Sequence, residues 1–214
     1  FNRLCEIYSE AFVYLISSPL FGTWVGASPE ILVEINGDEA KTVALAGTLS
    51  SNNVDSWTSK EIIEQQYVAH YIETELEKLG ISEFSNNNRE EYIAGPVRHL
   101  RTVFNFLAKG KTAIEIVNAL HPTPAVCGSP SDKALALIET TEQHERSLYT
   151  GFIGVIGKEK STVYVNLRCA QLFESSVNLY IGGGLTGDSN SEMEWEETEN
   201  KAKTMLNVIE NISF

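Results

Sequence analysis

Residues 11–46 read AFVYLISSPLFGTWVGASPEILVEINGDEAKTVALA, and their pattern sets the fold class. Short runs rich in Val, Ile, Tyr and Trp (Ala11–Ser17, Gly22–Ala27, Ile31–Ile35 and Lys41–Ala46) alternate with turn formers, Ser18-Pro19-Leu20-Phe21-Gly22 and Asn36-Gly37-Asp38. Branched and aromatic side chains suit a pleated, half-buried surface, and Asn-Gly accepts the positive φ of a tight hairpin. The stretch therefore predicts an antiparallel meander.

Beyond it, a polar loop over Leu49–Asp55 leads into a helix expected from Ser59 to Leu79. Its apolar positions Ile63, Val68, Ile72, Leu76 and Leu79 recur near helical spacing, and Gly80 can close it. Asn86-Asn87-Asn88 marks an exposed loop, and Tyr92–Leu107 fits either a strand or a helix. Thr112–Leu120 and Ser131–Gln143 read as helices, the second with Ser131 as N-cap. Gly151–Gly157, Ser161–Phe173 and Val177–Gly184 read as strands, and Ser191–Ile209 as a closing helix. These blocks do not strictly alternate, so the expected class is α+β, antiparallel β-sheets packed with helices, rather than a doubly wound parallel sheet.

The 214 residues suit one large domain or two small ones, and 43% hydrophobic with 21% charged residues is ordinary for a soluble globular protein. A formal charge of −13 argues against a nucleic-acid or anionic-membrane surface, both of which need a basic footprint. Cys5, Cys127 and Cys169 are odd in number and widely spaced, fitting neither a disulfide framework nor a zinc motif, so a cytoplasmic setting is expected. The longest apolar stretch, Ala11–Phe21, is too short and too broken by serine and proline to span a bilayer. Opening on Phe1, the chain reads as part of a longer protein.

Glu61 and Glu64 sit three apart on the first long helix, and Glu194 and Glu197 repeat that spacing on the last. Each pair projects two carboxylates from nearly one face. A cation held between two such helices would reverse their mutual repulsion, and hard oxygen ligands favour Mg²⁺ over zinc. On spacing alone, a solvated acidic face at a helix start explains them as well.

Other segments bear on that choice. Gly26-Ala-Ser-Pro-Glu30, Ala44-Leu-Ala-Gly-Thr48, His121-Pro-Thr-Pro-Ala125-Val-Cys-Gly128 and Tyr149-Thr-Gly-Phe-Ile-Gly154 come in order. Asn166-Leu-Arg168-Cys-Ala170, Tyr180-Ile-Gly182-Gly-Gly184 and Glu194-Trp-Glu-Glu197-Thr-Glu-Asn-Lys201 follow them. Together these resemble the catalytic domain of the chorismate-utilising enzymes across essentially the whole chain, which would make residues 1–214 the C-terminal major part of one chorismate-binding domain. Within that family the His-Pro-Thr-Pro-Ala block most resembles isochorismate synthase, through Ala125.

The resemblance implies Mg²⁺-dependent conversion of chorismate to isochorismate: water adds at ring C2, the C4 hydroxyl leaves, and the double bonds shift. Anthranilate or aminodeoxychorismate synthase component I is the alternative enzyme, and a non-catalytic chorismate-binding module the alternative class. By the same resemblance Glu64 and Glu197 would bind the metal directly, with Glu61 and Glu194 supporting them. Glu30 would be the general acid for the departing hydroxyl.

Arg168, in an otherwise apolar run, needs an anionic partner. Either a structural ion pair supplies it or, by resemblance, the enolpyruvyl carboxylate does, with help from Tyr149. Gly182, Gly183 and Gly184 would let backbone N–H groups approach a substrate carboxylate. Lys201 could reach that carboxylate or merely pair with Glu197 at i,i+4. Gly47, Thr48, His99 and Ala125 would line the substrate.

The family's general-base lysine precedes the first of these blocks and is expected to be missing here, leaving the fragment catalytically crippled. Chorismate is the expected partner, with no nucleic acid, membrane or glutaminase subunit, and isochorismate would feed menaquinone or a catechol siderophore.

Overall fold

The computed structural model describes residues 1–50, 56–94 and 97–209, with only the backbone at Thr48, Ser50, Ala94 and Val97. In chain order its elements begin with α1 (Asn2–Ile7), β1 (Phe12–Ser18), β2 (Gly22–Ser28), β3 (Ile31–Asn36), β4 (Glu39–Ser50) and α2 (Ser59–Lys78). There follow β5 (Phe84–Asn86), β6 (Glu90–Ala94), β7 (Val97–Leu107), α3 (Ala113–Leu120), α4 (Pro124–Cys127) and α5 (Ser131–Thr141). The chain closes with β8 (Phe152–Ile156), β9 (Lys160–Val165), β10 (Cys169–Leu172), β11 (Val177–Tyr180) and α6 (Ser191–Ile209). They fall into two compact units, one of Phe1–Glu30, His144–Gly154 and Tyr164–Phe214, the other of Ile31–Gln143 and Val155–Val163.

In the first unit four antiparallel strands run in the order β1-β2-β10-β11. Both faces of β2 are covered, which is why Trp24 to Ser28 are all buried rather than alternating. On one face Val25, Ala27 and Ala170 pack with Leu4 of α1 and Met205 and Val208 of α6. On the other, Tyr14, Trp24 and Cys169 pack with Tyr149 and Tyr180. Gly26 stands opposite Tyr14 in the ladder. A Cβ there would lie 2.6 Å from the tyrosine ring, whose hydroxyl donates to Asn166 Oδ1 at 2.7 Å.

The second unit carries the strand order β5-β7-β4-β3-β9-β8, with β6 also paired to β7. The Tyr92–Leu107 ambiguity thus resolves as strand, β6 pairing antiparallel with β7 from Glu90↔Arg101 to Ala94↔Val97. β4 is longer than expected, and its register shifts between Ala46 and Thr48, where Gly47 takes φ +73°. α2 turns Glu61, Gln65, Val68, Ile72 and Leu76 inward. Ile63, expected in that stripe, is instead 46% exposed, because Glu61 and Gln65 occupy the inward positions of the first turns.

The single meander expected over residues 11–46 is instead two hairpins in different sheets, β1–β2 in one and β3–β4 in the other. The chain breaks at Pro29-Glu30, and β2 takes β10 as its second neighbour. Three further boundaries differ from expectation. Ser161–Phe173 is two strands, not one: β9 and β10 belong to different sheets, and Asn166–Arg168 forms the bend between them. The last strand stops at Tyr180, leaving residues 181–184 as loop. Ser131 is the first residue of α5 and Pro130 its N-cap, without a side-chain cap bond. The polar loop expected over Leu49–Asp55 lies partly outside the described residues. Among the described residues no helix is long and apolar enough to cross a membrane.

The tight seat of Tyr14 on Gly26 is testable. Gly26→Ala should lower unfolding stability by about 1–3 kcal/mol through overpacking, seen as a lower urea midpoint at unchanged slope. A midpoint equal to the parent's would show that the ring moves aside freely.

Candidate functional site

In the first unit, α6 begins where Asn190 caps it, its Oδ1 accepting from the backbone N–H groups of Glu192 and Met193. One turn in, Glu194 is buried to 7% exposure and accepts from Ser189 Oγ at 2.6 Å. Glu197 is half-buried one turn on, and Lys201 Nζ lies 2.6 Å from its Oε1 and 3.2 Å from the Gly182 carbonyl. Lys201 therefore does make the i,i+4 ion pair with Glu197. Gly183 faces all three charged groups: a Cβ there would come within 4 Å of Glu194 Oε2, Glu197 Oε1 and Lys201 Nζ. At Gly182 a Cβ would meet the Tyr149 hydroxyl at 2.7 Å. These two glycines keep the space beside the charges open. Gly184 is exposed farther along the loop.

Glu30 follows β2, its carbonyl accepting from Val165 N–H at 2.9 Å. Burial pushes its carboxyl up from 4.5 to about 7, against the opposing pull of the Lys201 and Arg168 charges. Desolvation thus outweighs two cations, and the acid is partly protonated at neutral pH.

Arg168 sits at the β9–β10 bend with φ +49°, left-handed for a residue with a side chain. Its carbonyl accepts from Ala27 N–H at 3.1 Å. Beside it, Ser28 Oγ donates to the Leu167 carbonyl and accepts from the Leu167 N–H. Burial lowers the guanidinium's pKa, while Tyr8, Tyr149, Glu197 and Glu30 act to raise it. Its side chain donates from Nη1 to Thr204 Oγ1 at 2.9 Å. Among the described residues of this unit, no carboxylate closes an ion pair with Arg168 within 4.0 Å. The structural ion pair considered from the sequence is not formed there.

In the second unit Glu61 is the third residue of a capping box: its Oε2 accepts from both the N–H and the hydroxyl of Thr58. Its Cβ would lie 2.9 Å from a Cβ placed on Gly47, so this glycine is needed for close approach as well as for its positive φ. The Gly47 carbonyl lies 3.1 Å from His99 Nδ1. Since a carbonyl only accepts, Nδ1 carries the proton. Glu64 is half-buried one turn along α2. Thr48 pairs with His99 in the ladder, but its side chain lies outside the described residues. Ala125 is exposed on the separate helix α4.

Each unit thus supplies one glutamate pair with the same build, an inner buried carboxylate tethered by a hydroxyl and an outer half-buried one. Each pair offers hard carboxylate oxygens, the donor type that a small divalent cation takes. Among the described residues, no three Asp, Glu, His or Cys side chains already form a metal cage. Sequence reading missed Thr58, Ser189 and Thr204. Thr58-x-x-Glu61 is a legible capping box, and Thr204 shares the helix face of Glu197 and Lys201, whereas nothing marks Ser189.

Comparison with known proteins adds the family. Residues 1–210 match the family model described as chorismate binding enzyme. Isochorismate synthase EntC of Escherichia coli is 32% identical over 199 residues, covering 87% of this chain and 51% of that protein. Anthranilate synthase component 1 of Mycolicibacterium smegmatis is 30% identical over 221 residues, covering 92% and 41%. The chain superposes with TM-score 0.88 and 27% identity on a Bacillus anthracis protein assigned as a 2,3-dihydroxybenzoate-specific isochorismate synthase, covering 98% and 60%. The chain spans about half the length of the curated relatives it matches.

Glu30 sets a pH dependence. Its folded pKa lies above its unfolded value, so its contribution to stability is complete below about 4.5 and lost as pH rises through about 7. The loss is about 3 kcal/mol. Glu30→Gln should remove that fall from the urea-derived stability profile between pH 4 and 8. Parallel profiles for the two proteins would mean that Glu30 titrates as an ordinary surface carboxyl.

Proposed function

The chain belongs to the chorismate-binding enzyme family, and from that premise we propose that it serves an isochorismate synthase, converting chorismate to isochorismate. The observation that carries the reading is the pairing, in one unit, of an acid raised to about 7 with a guanidinium that has no carboxylate partner there. An isomerase acting on a dianionic ring needs both. Arg168, beside the Tyr149 hydroxyl, grips a carboxylate with its fork of N–H donors. Glu30, protonated in part at neutral pH, gives its proton to the C4 hydroxyl, which leaves as water while the double bonds shift. A second water adds at C2, passing its proton to a general base that is not among the residues assigned here. Gly182 and Gly183 leave room for the ligand beside Lys201.

Mg²⁺ fits the all-oxygen donor set. We assign Glu64 and Glu197 as its direct ligands, with Glu61 and Glu194 behind them as hydroxyl-tethered carboxylates. The ion would supply charge neutralisation for a bound carboxylate. Against an amine-transferring reading stands the His121-Pro-Thr-Pro-Ala125 block, which resembles that of isochorismate synthases through Ala125.

Product analysis from chorismate and Mg²⁺ with the complete gene product, ammonium first withheld and then added, tests this. Isochorismate is expected in both conditions, and Glu30→Gln should lower turnover by about 10²–10⁴-fold, the usual worth of a general acid. Product formed only with ammonium would identify an anthranilate- or aminodeoxychorismate-synthase component instead.

A further inference from the structure

Arg168 is over-determined in a way that carboxylate binding alone does not require. Its left-handed backbone costs on the order of 1 kcal/mol or more for a residue with a side chain, and the bonds from Ala27 and Ser28 hold it there. Its side chain is then fixed by a second element. Thr204 of α6, 9% exposed, accepts from Nη1 at 2.9 Å. The Thr204 carbonyl in turn accepts from the Tyr8 hydroxyl at 3.2 Å, tying α6 to the residue that ends α1.

The chemistry of that partner matters. A buried guanidinium is ordinarily paired with a carboxylate, which fixes its orientation and also cancels its charge. A threonine hydroxyl fixes one N–H and cancels nothing. The remaining N–H donors stay available for an anion from outside, since Glu197 and Glu30 act on the guanidinium through their charge without closing an ion pair on it.

We infer that Thr204 is a positioning residue that aims Arg168 at the substrate carboxylate while leaving its charge unspent. This rests on the chorismate reading above and adds a residue to it. Serine can replace Thr204, because the hydroxyl is what acts. Valine keeps the shape and loses the aim. Aspartate keeps the aim and removes the charge.

Calorimetric titration of chorismate into the full chain with Mg²⁺, for the parent, Thr204→Ser, Thr204→Val and Thr204→Asp, separates these roles, with urea unfolding as a check on each fold. The serine variant should bind within about twofold of the parent. Losing one hydrogen bond to a charged group should weaken binding for valine roughly ten- to hundredfold. Aspartate should fold at least as stably as the parent and show no measurable binding. With the complete gene product the valine loss should appear in KM more than in kcat, since the carboxylate is held in ground and transition states alike. Should valine fail to fold, aspartate, which supplies its own counter-charge, carries the comparison. Parent-like binding by a folded valine or aspartate variant overturns the assignment and leaves the chorismate reading intact. Absence of chorismate binding by the parent overturns both.

Discussion

A carboxylate taken out of water must be held by hydrogen bonds or by a counter-charge, and that requirement shapes both long helices of this chain. The inward stripe of α2 is apolar from Val68 to Leu76 and polar before it, at Glu61 and Gln65. That of α6 is apolar at Met205 and Val208 and polar before them, at Glu194 and Thr204. Each helix anchors itself in its own core through its C-terminal half and carries acid at its N-terminal end, where the helix dipole favours negative charge. Thr58 and Ser189 tether the inner carboxylates. Polar residues facing inward in those first turns, where the stripe is otherwise apolar, are the local departures expected at functional positions, and they agree with the metal site proposed above.

The same logic places Arg168. A straight strand through residues 161–173 would bury alternate side chains against one sheet and leave no reason for a bend. The chain instead leaves one sheet after Val165 and joins another at Cys169. The left-handed residue at the bend is an arginine, not the glycine that such a φ favours. Strain kept at a charged side chain, where glycine would relieve it, is the kind of cost a fold carries at functional positions, and it agrees with the role proposed for Arg168.

Much of this was legible in the sequence. The four strands within residues 11–46, α2, α3 and α6 follow from periodicity and turn residues, but not the sheets they join. β1 and β2 pair in one sheet and β3 and β4 in the other, since strand pattern alone does not say which edge pairs with which. Ile63 misled because a helical wheel ranks residues by apolarity, while the structure turns two polar residues inward there. The β9–β10 bend was hidden because Val163, Tyr164, Val165, Leu167 and Cys169 suit a strand equally well on either side of it. α1, with only Leu4 buried, offers too little pattern to read. For the site, residue types and their order pointed to Glu30, Arg168 and the glutamate pairs. The partners that set their states, Thr58, Ser189 and Thr204, are ordinary hydroxyl residues whose roles come from three-dimensional proximity.

Glu30 and Arg168 show why those states belong together. Were Glu30 ionised in the free protein, its charge would favour the Arg168 cation and compete with any incoming carboxylate. Burial keeps a part of Glu30 protonated at about pH 7 even though Lys201 and Arg168 both favour its ionised form. Thr204 holds the guanidinium without neutralising it. Desolvation of the acid, with a neutral partner for the cation, would therefore retain both the proton and the charge that the proposed reaction draws on. Either feature alone would be a buried oddity. Side by side in one unit, they keep an acid and a cation from cancelling each other, as the proposed function requires.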